Sequence, residues 1–220
     1  RVGANRITRL DDRVDLSAYD RTAVMPPQSP FPEGTFVVIY SGSLLPIKGL
    51  EVLQQVILAL TQRRQDIAFL LLGYPTAQMA AFVREHALQA RVSLTGRVAF
   101  EALPGYLLLA QVGIEPKLSV SGEGSGKLLH YMAAGLALAA FPTEHNRTIA
   151  DAGTLAAGNT VEDLAQQIET LANDRAQCHS IGQANRDRAQ AYSLEAGGKA
   201  IAVIYQALGI TPSSQQARVG

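Results

Sequence analysis

The sequence predicts an α/β domain built on a parallel, doubly wound sheet, and three observations predict it. Short apolar and β-branched runs alternate with helix-period text over most of the 220 residues. Those runs are apolar at consecutive positions, as strands covered on both faces are, instead of alternating with polar residues. Between positions 122 and 141 the chain reads GEGSGKLLHYMAAGLALAAF, a glycine-rich loop opening into a helix, and in such sheets the ligand crevice lies outside the carboxyl ends of the strands.

Each element has its own justification. Residues 1–34, with Pro26, Pro27, Pro30 and Pro32, read as an irregular lead-in or interdomain linker. FVVIYS at 36–41 is the first strand. In the helix over about 49–63, Val52, Leu53, Val56, Ile57 and Leu60 share one face while Glu51, Gln54 and Gln55 point away, the pattern of a helix laid on a sheet. A strand follows at 67–73, a helix at 77–89, a strand at 92–96, a helix at about 103–110 and a strand at 112–115. The glycine loop then leads into a helix that stops at Gly135, before an apolar strand at 136–141. A further short strand is expected at 154–157, and after it Thr160 caps the helix that carries Val161, Leu164, Ile168 and Leu171, with Asp163 in its first turn. Helical text runs on to 191 and again over 194–208, and the polar tail from Thr211 reads as loose. The folded domain therefore occupies 35–210, with 211–220 as its tail.

Composition excludes several classes of function. The 19 Lys and Arg match 19 Asp and Glu, so there is no basic field to gather nucleic acid, and no nucleic-acid partner is expected. Cys178 is alone, which excludes a disulfide framework and suits a reducing compartment. His86, His130, His145 and His179 lack metal-ligand spacing, so no metal site is expected. No run approaches the ~20 apolar residues of a membrane span, and the N-terminus lacks the pattern of a signal peptide. These features predict a soluble, cytoplasmic protein. The opening text has no initiator methionine, which predicts a truncated or processed chain.

The chemistry concentrates in the glycine loop. Gly122, Gly124 and Gly126 let backbone N–H groups crowd together, and the first turn of the following helix offers unpaired amides and partial positive charge, to which Lys127 adds a full one. A phosphate fits such a site. The loop is no P-loop: counting back from Gly126 and Lys127, the position that must be glycine is Ser121, and Leu128 stands where a magnesium-binding Ser or Thr is needed. An ATPase or GTPase reading is rejected. A tight loop with a packed helix is the plain alternative.

The order of motifs resembles the C-terminal, donor-binding domain of GT-B glycosyltransferases, in the large retaining group that uses nucleotide-sugars. LDDRVDL at 10–16 is similar to the interdomain segment of that group, and YSGSLLPIKG at 40–49 to its first strand and loop. LLLGY at 70–74, VSLTGRV at 92–98 and LPGYLLLAQVGIEP at 103–116 follow in family order. KLLHYMAAGLALAA at 127–140 is the most specific match, because the family writes Lys-Leu, any residue, Glu-Tyr-Met-Ala-Ala-Gly and then an apolar strand.

The resemblance implies a Rossmann-like sheet forming the C-terminal half of a GT-B fold. It implies transfer of a sugar, of the hexosyltransferase type, from a nucleotide-sugar donor with retention of configuration, and no cofactor or metal. Gly42 and Ser43 would lie beside the donor diphosphate, and Lys48 would contact its phosphates. Arg97 and Val98 would meet the nucleobase through backbone, and the amides of Ser125, Gly126 and Lys127 would cradle the sugar or diphosphate. His130 stands where the family has a glutamate that bonds the ribose hydroxyls. Glu123 lies near the acidic position that approaches the transferred sugar, making Lys48 and Glu123 the catalytic candidates. Ser43 replaces a frequent arginine, and Arg13 a usual glycine.

Read without the resemblance, Lys48 is a solvated lysine beside a turn, His130 a structural histidine, Glu123 a solvated loop carboxylate, and Arg97 a surface partner of Glu101. The implied partners are the nucleotide-sugar, an N-terminal acceptor domain outside this chain and, for the full-length enzyme, a membrane surface at its periphery. Alone, the chain is expected to bind without catalysing, and its helix over 194–208 to lack cover. A noncatalytic nucleotide-sugar-binding or interaction module is the alternative, and an unrelated doubly wound domain stands behind both.

Overall fold

Side-chain alternation along the strands sorts the apolar residues into two cores, one on each face of a single sheet. The computed structural model describes residues 8, 10–118 and 125–209. Its five strands, β1 (Phe36–Ser41), β2 (Ile67–Leu72), β3 (Val92–Gly96), β4 (Val112–Glu115) and β5 (Ala137–Ala140), are all parallel and lie in the order β3-β2-β1-β4-β5. Phe36, Val38 and Tyr40 face one core, and Val37 and Ile39 the other. The expected doubly wound parallel sheet is what the chain forms. Its order reverses between β1 and β4, which opens a crevice at the carboxyl edge there.

The helices fill both layers. On the Phe36 side lie α1 (Leu50–Arg63), α2 (Ala77–Glu85) and α6 (Val161–Asn173), through Leu53, Ile57, Met79, Leu164 and Ile168. Opposite them, α3 (Leu103–Leu107) and α4 (Lys127–Ala133) pack through Leu107, Leu128 and Met132. The remaining helices are α5 (Glu144–Ile149), α7 (Arg175–Ala189) and α8 (Leu194–Ala207). The expected cap on α6 is present as a full capping box, with Thr160 and Asp163 each bonding the other's backbone N–H.

Three expectations about elements are corrected. The helix expected over 77–89 ends at Glu85, because buried Leu88 turns inward and its N–H reaches Val83 O at 2.9 Å, with Ala87 left-handed between them. The strand expected at 154–157 does not form. Asp151 accepts from Gly153 N–H with its carboxylate and from Thr154 with its carbonyl, winding 152–154 into a 3-10 turn, so that only Ala156 N–H reaches Ala140 O, at 3.0 Å. The helical run to 191 is broken at Asp174, whose carboxylate caps α7 by accepting from Gln177 N–H at 2.8 Å.

One contact holds the crevice together. Tyr131, fully buried, lies across Gly113 in β4, where any added Cβ would sit 2.4 Å from its ring. Its hydroxyl accepts from Ser41 N–H at 2.8 Å, which ties α4 to the end of β1. The lead-in is also attached. Val14, Tyr19 and Phe31 are buried, Val14 N–H donates to Tyr192 O at 2.9 Å, and Arg21 donates to Ala134 O at the end of α4.

The apolar face of α8, by contrast, is open: Leu194, Ile201, Tyr205 and Leu208 are all exposed, and Gly197 alone is buried in the helix, beneath the Arg13 side chain. Among the described residues, no helix is long and apolar enough to cross a membrane.

Two outcomes follow from this packing. Gly113→Ala should lower unfolding free energy in urea by about 1–3 kcal/mol, the usual cost of forcing a methyl into a filled core; an unchanged midpoint would mean that Tyr131 is not seated there. In hydrogen exchange, α8 amides should open at lower free energy than those of β1 and β2, and equal protection would show that the face is covered.

Candidate functional site

The loops after β1 and β4 approach each other closely at the carboxyl edge. Gly49 adopts a left-handed φ of 84°, and a Cβ there would lie 2.5 Å from Pro116 O, so only glycine fits. Pro46–Lys48 forms a 3-10 turn ending at Gly49, which places Lys48 at the rim. Tyr40 donates its hydroxyl to Ser43 O at 2.8 Å, and Leu44 N–H reaches Tyr74 O at 3.1 Å, fixing the loop after β1 against the loop after β2.

Two cavities result. One, about 220 Å³, is lined by Gly42, Ser43, Lys48, Glu115, Lys117, Ser125, Gly126 and Lys127. The other, about 470 Å³, extends along the ends of β2 and β3 past Tyr74, Arg97, Val98 and Phe100. Gly42 and Ser43 belong to both, so the two chambers meet there. Seven of the expected residues (Gly42, Ser43, Lys48, Ser125, Gly126, Lys127 and, through the larger chamber, Arg97) with Val98 are thus brought to one edge. Arg97 lies with its guanidinium carbon 4.7 Å from the centre of the Tyr74 ring, a cation–π stack at the chamber wall. Glu123, Gly122 and Gly124 lie outside the described residues.

His130 is placed differently. It lines a third cavity, about 310 Å³, with Asp15, Tyr19, Phe100, Glu101 and Pro104. Its Nδ1 is 2.7 Å from the Tyr19 hydroxyl, and Phe100 meets the ring edge-on with centroids 5.5 Å apart. Burial holds the imidazole below its ordinary pKa, partly offset by Asp12. In the neutral ring one nitrogen donates and the other accepts, so the direction of the Tyr19 bond follows the tautomer.

The sequence reading missed Glu115. It is 2 % exposed at the end of β4 and accepts from Lys117 N–H at 3.1 Å, from the Ser125 hydroxyl, and from Lys127 Nζ at 3.4 Å. A signal was present: an acid closes the otherwise apolar VGIE strand, where burial demands partners. Lys127 is only 17 % exposed and sits 4.3 Å over the Tyr40 ring, and burial holds its ammonium below the ordinary lysine pKa against the opposing effect of Glu115. Among the described residues, no group of three or more His, Cys, Asp or Glu could hold a metal.

The family model described as Glycosyl transferases group 1 matches residues 35–174. No curated protein matches by sequence. Among solved structures, the sucrose-phosphate synthase of Thermosynechococcus elongatus superposes with TM-score 0.72 at 21 % identity, over 90 % of this chain and 51 % of that one. HepE of Anabaena, in complex with UDP and glucose, gives 0.70 at 19 % identity over 89 % and 55 %. The C-terminal domain of the group 1 glycosyl transferase LpcC of Francisella tularensis gives 0.66 at 17 % identity over 82 % and 99 %. The chain spans about half the length of the first and second of these structures.

The environment of His130 sets a pH dependence. Its native pKa is depressed, so its contribution to stability is present above the unfolded value of about 6.5 and is lost as pH falls from there through the native value. The difference in thermal midpoint between the parent chain and His130→Gln should therefore shrink between pH 7.5 and pH 5.5, these being roughly one unit either side of that unfolded value. A difference constant with pH would show that the imidazole is not held neutral.

Proposed function

The chain belongs to the glycosyl transferases group 1 family, and we propose that it is the donor-binding, C-terminal half of a retaining, nucleotide-sugar-dependent member. One observation carries this reading. The lysine-lined chamber and the larger, mostly apolar chamber meet at Gly42 and Ser43, at the edge where the strand order reverses. A diphosphate in the first and a nucleobase in the second are the two ends of one nucleotide, joined across that glycine and serine.

In this reading Lys48 meets the phosphates and stabilises the charge that develops as the diphosphate departs, an electrostatic role of the oxyanion type. Arg97 and Val98 border the base. No protein nucleophile is required: the leaving phosphate helps to deprotonate the acceptor on the same face of the sugar, which retains configuration. The acceptor comes from an N-terminal domain, and the open apolar face of α8 is available to lie against it. By itself the chain binds donor and does not transfer sugar. One observation favours the alternative of a noncatalytic binding module, namely that His130 Nδ1 is already engaged by the Tyr19 hydroxyl at 2.7 Å.

Calorimetry with UDP, the nucleotide named in the HepE complex, and with GDP and ADP tests the donor site. Binding in the millimolar range or tighter is expected, and Lys48→Ala should weaken it roughly ten- to hundredfold, the loss of a charge-assisted phosphate contact. Failure of every nucleoside diphosphate to bind at millimolar concentration would end the donor reading. Retained affinity in Lys48→Ala would remove Lys48 from it.

A further inference from the structure

The acid at the end of β4 has no part in the proposed transfer, yet it is the most enclosed charge in the lysine-lined chamber. Glu115 is 2 % exposed, and a carboxylate so placed persists only with partners. It has three: Lys117 N–H, the Ser125 hydroxyl and the Lys127 ammonium. These donors lie on both sides of the segment outside the described residues, so one carboxylate clasps the loop after β4 to the start of α4. Lys127 is fixed from the other directions as well. Its ammonium lies 4.3 Å from the Tyr40 ring centre, and a Cβ on Gly42 would come within 3.3 Å of it.

We propose that Glu115 and Lys127 form a charge-neutral floor to this chamber, with Glu115 as its positioning residue and Lys127 as the structural counter-ion instead of a phosphate ligand. The proposal rests on the donor-site reading for the identity of the anion, and on the geometry alone for the pair. An anion entering the chamber meets an ammonium whose charge is already matched at 3.4 Å, while Lys48 stands at the rim on the turn after β1. The attraction on the anion then comes from Lys48 and the remaining lining, and the floor supplies shape.

The test is a double-mutant cycle on the 220-residue chain, with inorganic pyrophosphate and UDP as probes and thermal melting in parallel. Lys127→Met strands a buried carboxylate and should lower the melting midpoint by roughly 10 °C; it should also weaken pyrophosphate binding, because a bare negative charge now faces the anion. Glu115→Gln releases the ammonium and should tighten pyrophosphate binding roughly tenfold, with a steeper dependence on salt. The double variant Glu115→Gln/Lys127→Met removes both charges, and should recover most of the melting loss and bind within about threefold of the parent, because a pair that is neutral as a unit leaves the chamber's charge unaltered.

If Lys127→Met does not fold, the double variant and Glu115→Gln carry the decision. A double variant that folds but loses tenfold or more in affinity makes Lys127 a phosphate ligand and overturns the proposal. Melting losses that simply add would show that the two residues are not coupled, and would overturn it too. Melting in Glu115→Gln that shifts without any change in affinity or salt dependence would make Glu115 purely structural and would overturn the proposal as well. If the parent binds neither pyrophosphate nor UDP, the donor reading fails, and the melting cycle alone decides the pair.

Discussion

The crevice depends on one close approach, the seating of the Tyr131 ring on Gly113. A parallel sheet and its helices are held mainly by apolar burial, which is non-directional and would tolerate α4 in several positions along β4. A ring occupying the space of a missing side chain removes that freedom, since Gly96, the other glycine in a strand among the described residues, has nothing within 4 Å of a notional Cβ. The hydroxyl then finds Ser41 N–H at the end of β1, satisfying a donor that the ladder leaves over. One side chain thereby ties the end of β1, next to Gly42 and Ser43, to α4, whose first residue Lys127 lines the same chamber.

The lead-in depends on the same helix. Tyr19 meets His130 on α4, Arg21 donates to Ala134 O at its end, and Arg186 of α7 donates to Tyr19 O. A few residues earlier, Arg13 lies on Gly197, while Val14 pairs with Ser193 at the cap of α8. The long Arg13 stem covers apolar surface that a glycine would leave bare, and Gly197 supplies the matching recess. The unusual residue in the lead-in and the glycine that weakens α8 are therefore one packing solution, and α8 is held chiefly through its N-terminal turns.

The sheet and its helices were legible because period and composition report burial directly. VVIY and AFLLL cannot be half-exposed strands, and the Leu53, Ile57, Leu60 stripe can face only a sheet. Ends of elements were less legible, because they are decided by single side chains acting locally. Asp151 and Asp174 each offer a carboxylate that competes with the helix or strand the surrounding text favours, and Leu88 ends α2 only because a core position awaits it. At the candidate site, the glycine loop and Lys127 could be read from the residues themselves, and Gly42, Ser43 and Lys48 only through the family resemblance. Tyr19 and Glu115 could not, since their partners are 111 residues away at His130 and 10 to 12 residues away across the loop at Ser125 and Lys127. Sequence spacing carries no record of such meetings.

Charge in the lysine-lined chamber follows from these placements. Three lysines and one glutamate line it, and the glutamate is the most buried of them, so it cannot be screened by water and must be answered by the nearest ammonium. That ammonium is Lys127, the residue that the sequence marks as the cation of the glycine loop. Ser43 adds a hydroxyl and no charge. A diphosphate would therefore meet less positive potential here than the count of lysines suggests, and its hold would depend on the half-buried Lys48 at the rim, which salt screens more than the enclosed pair. The fold has spent one of its cations on keeping an acid inside, and the geometry gained is a fixed floor beneath Gly42.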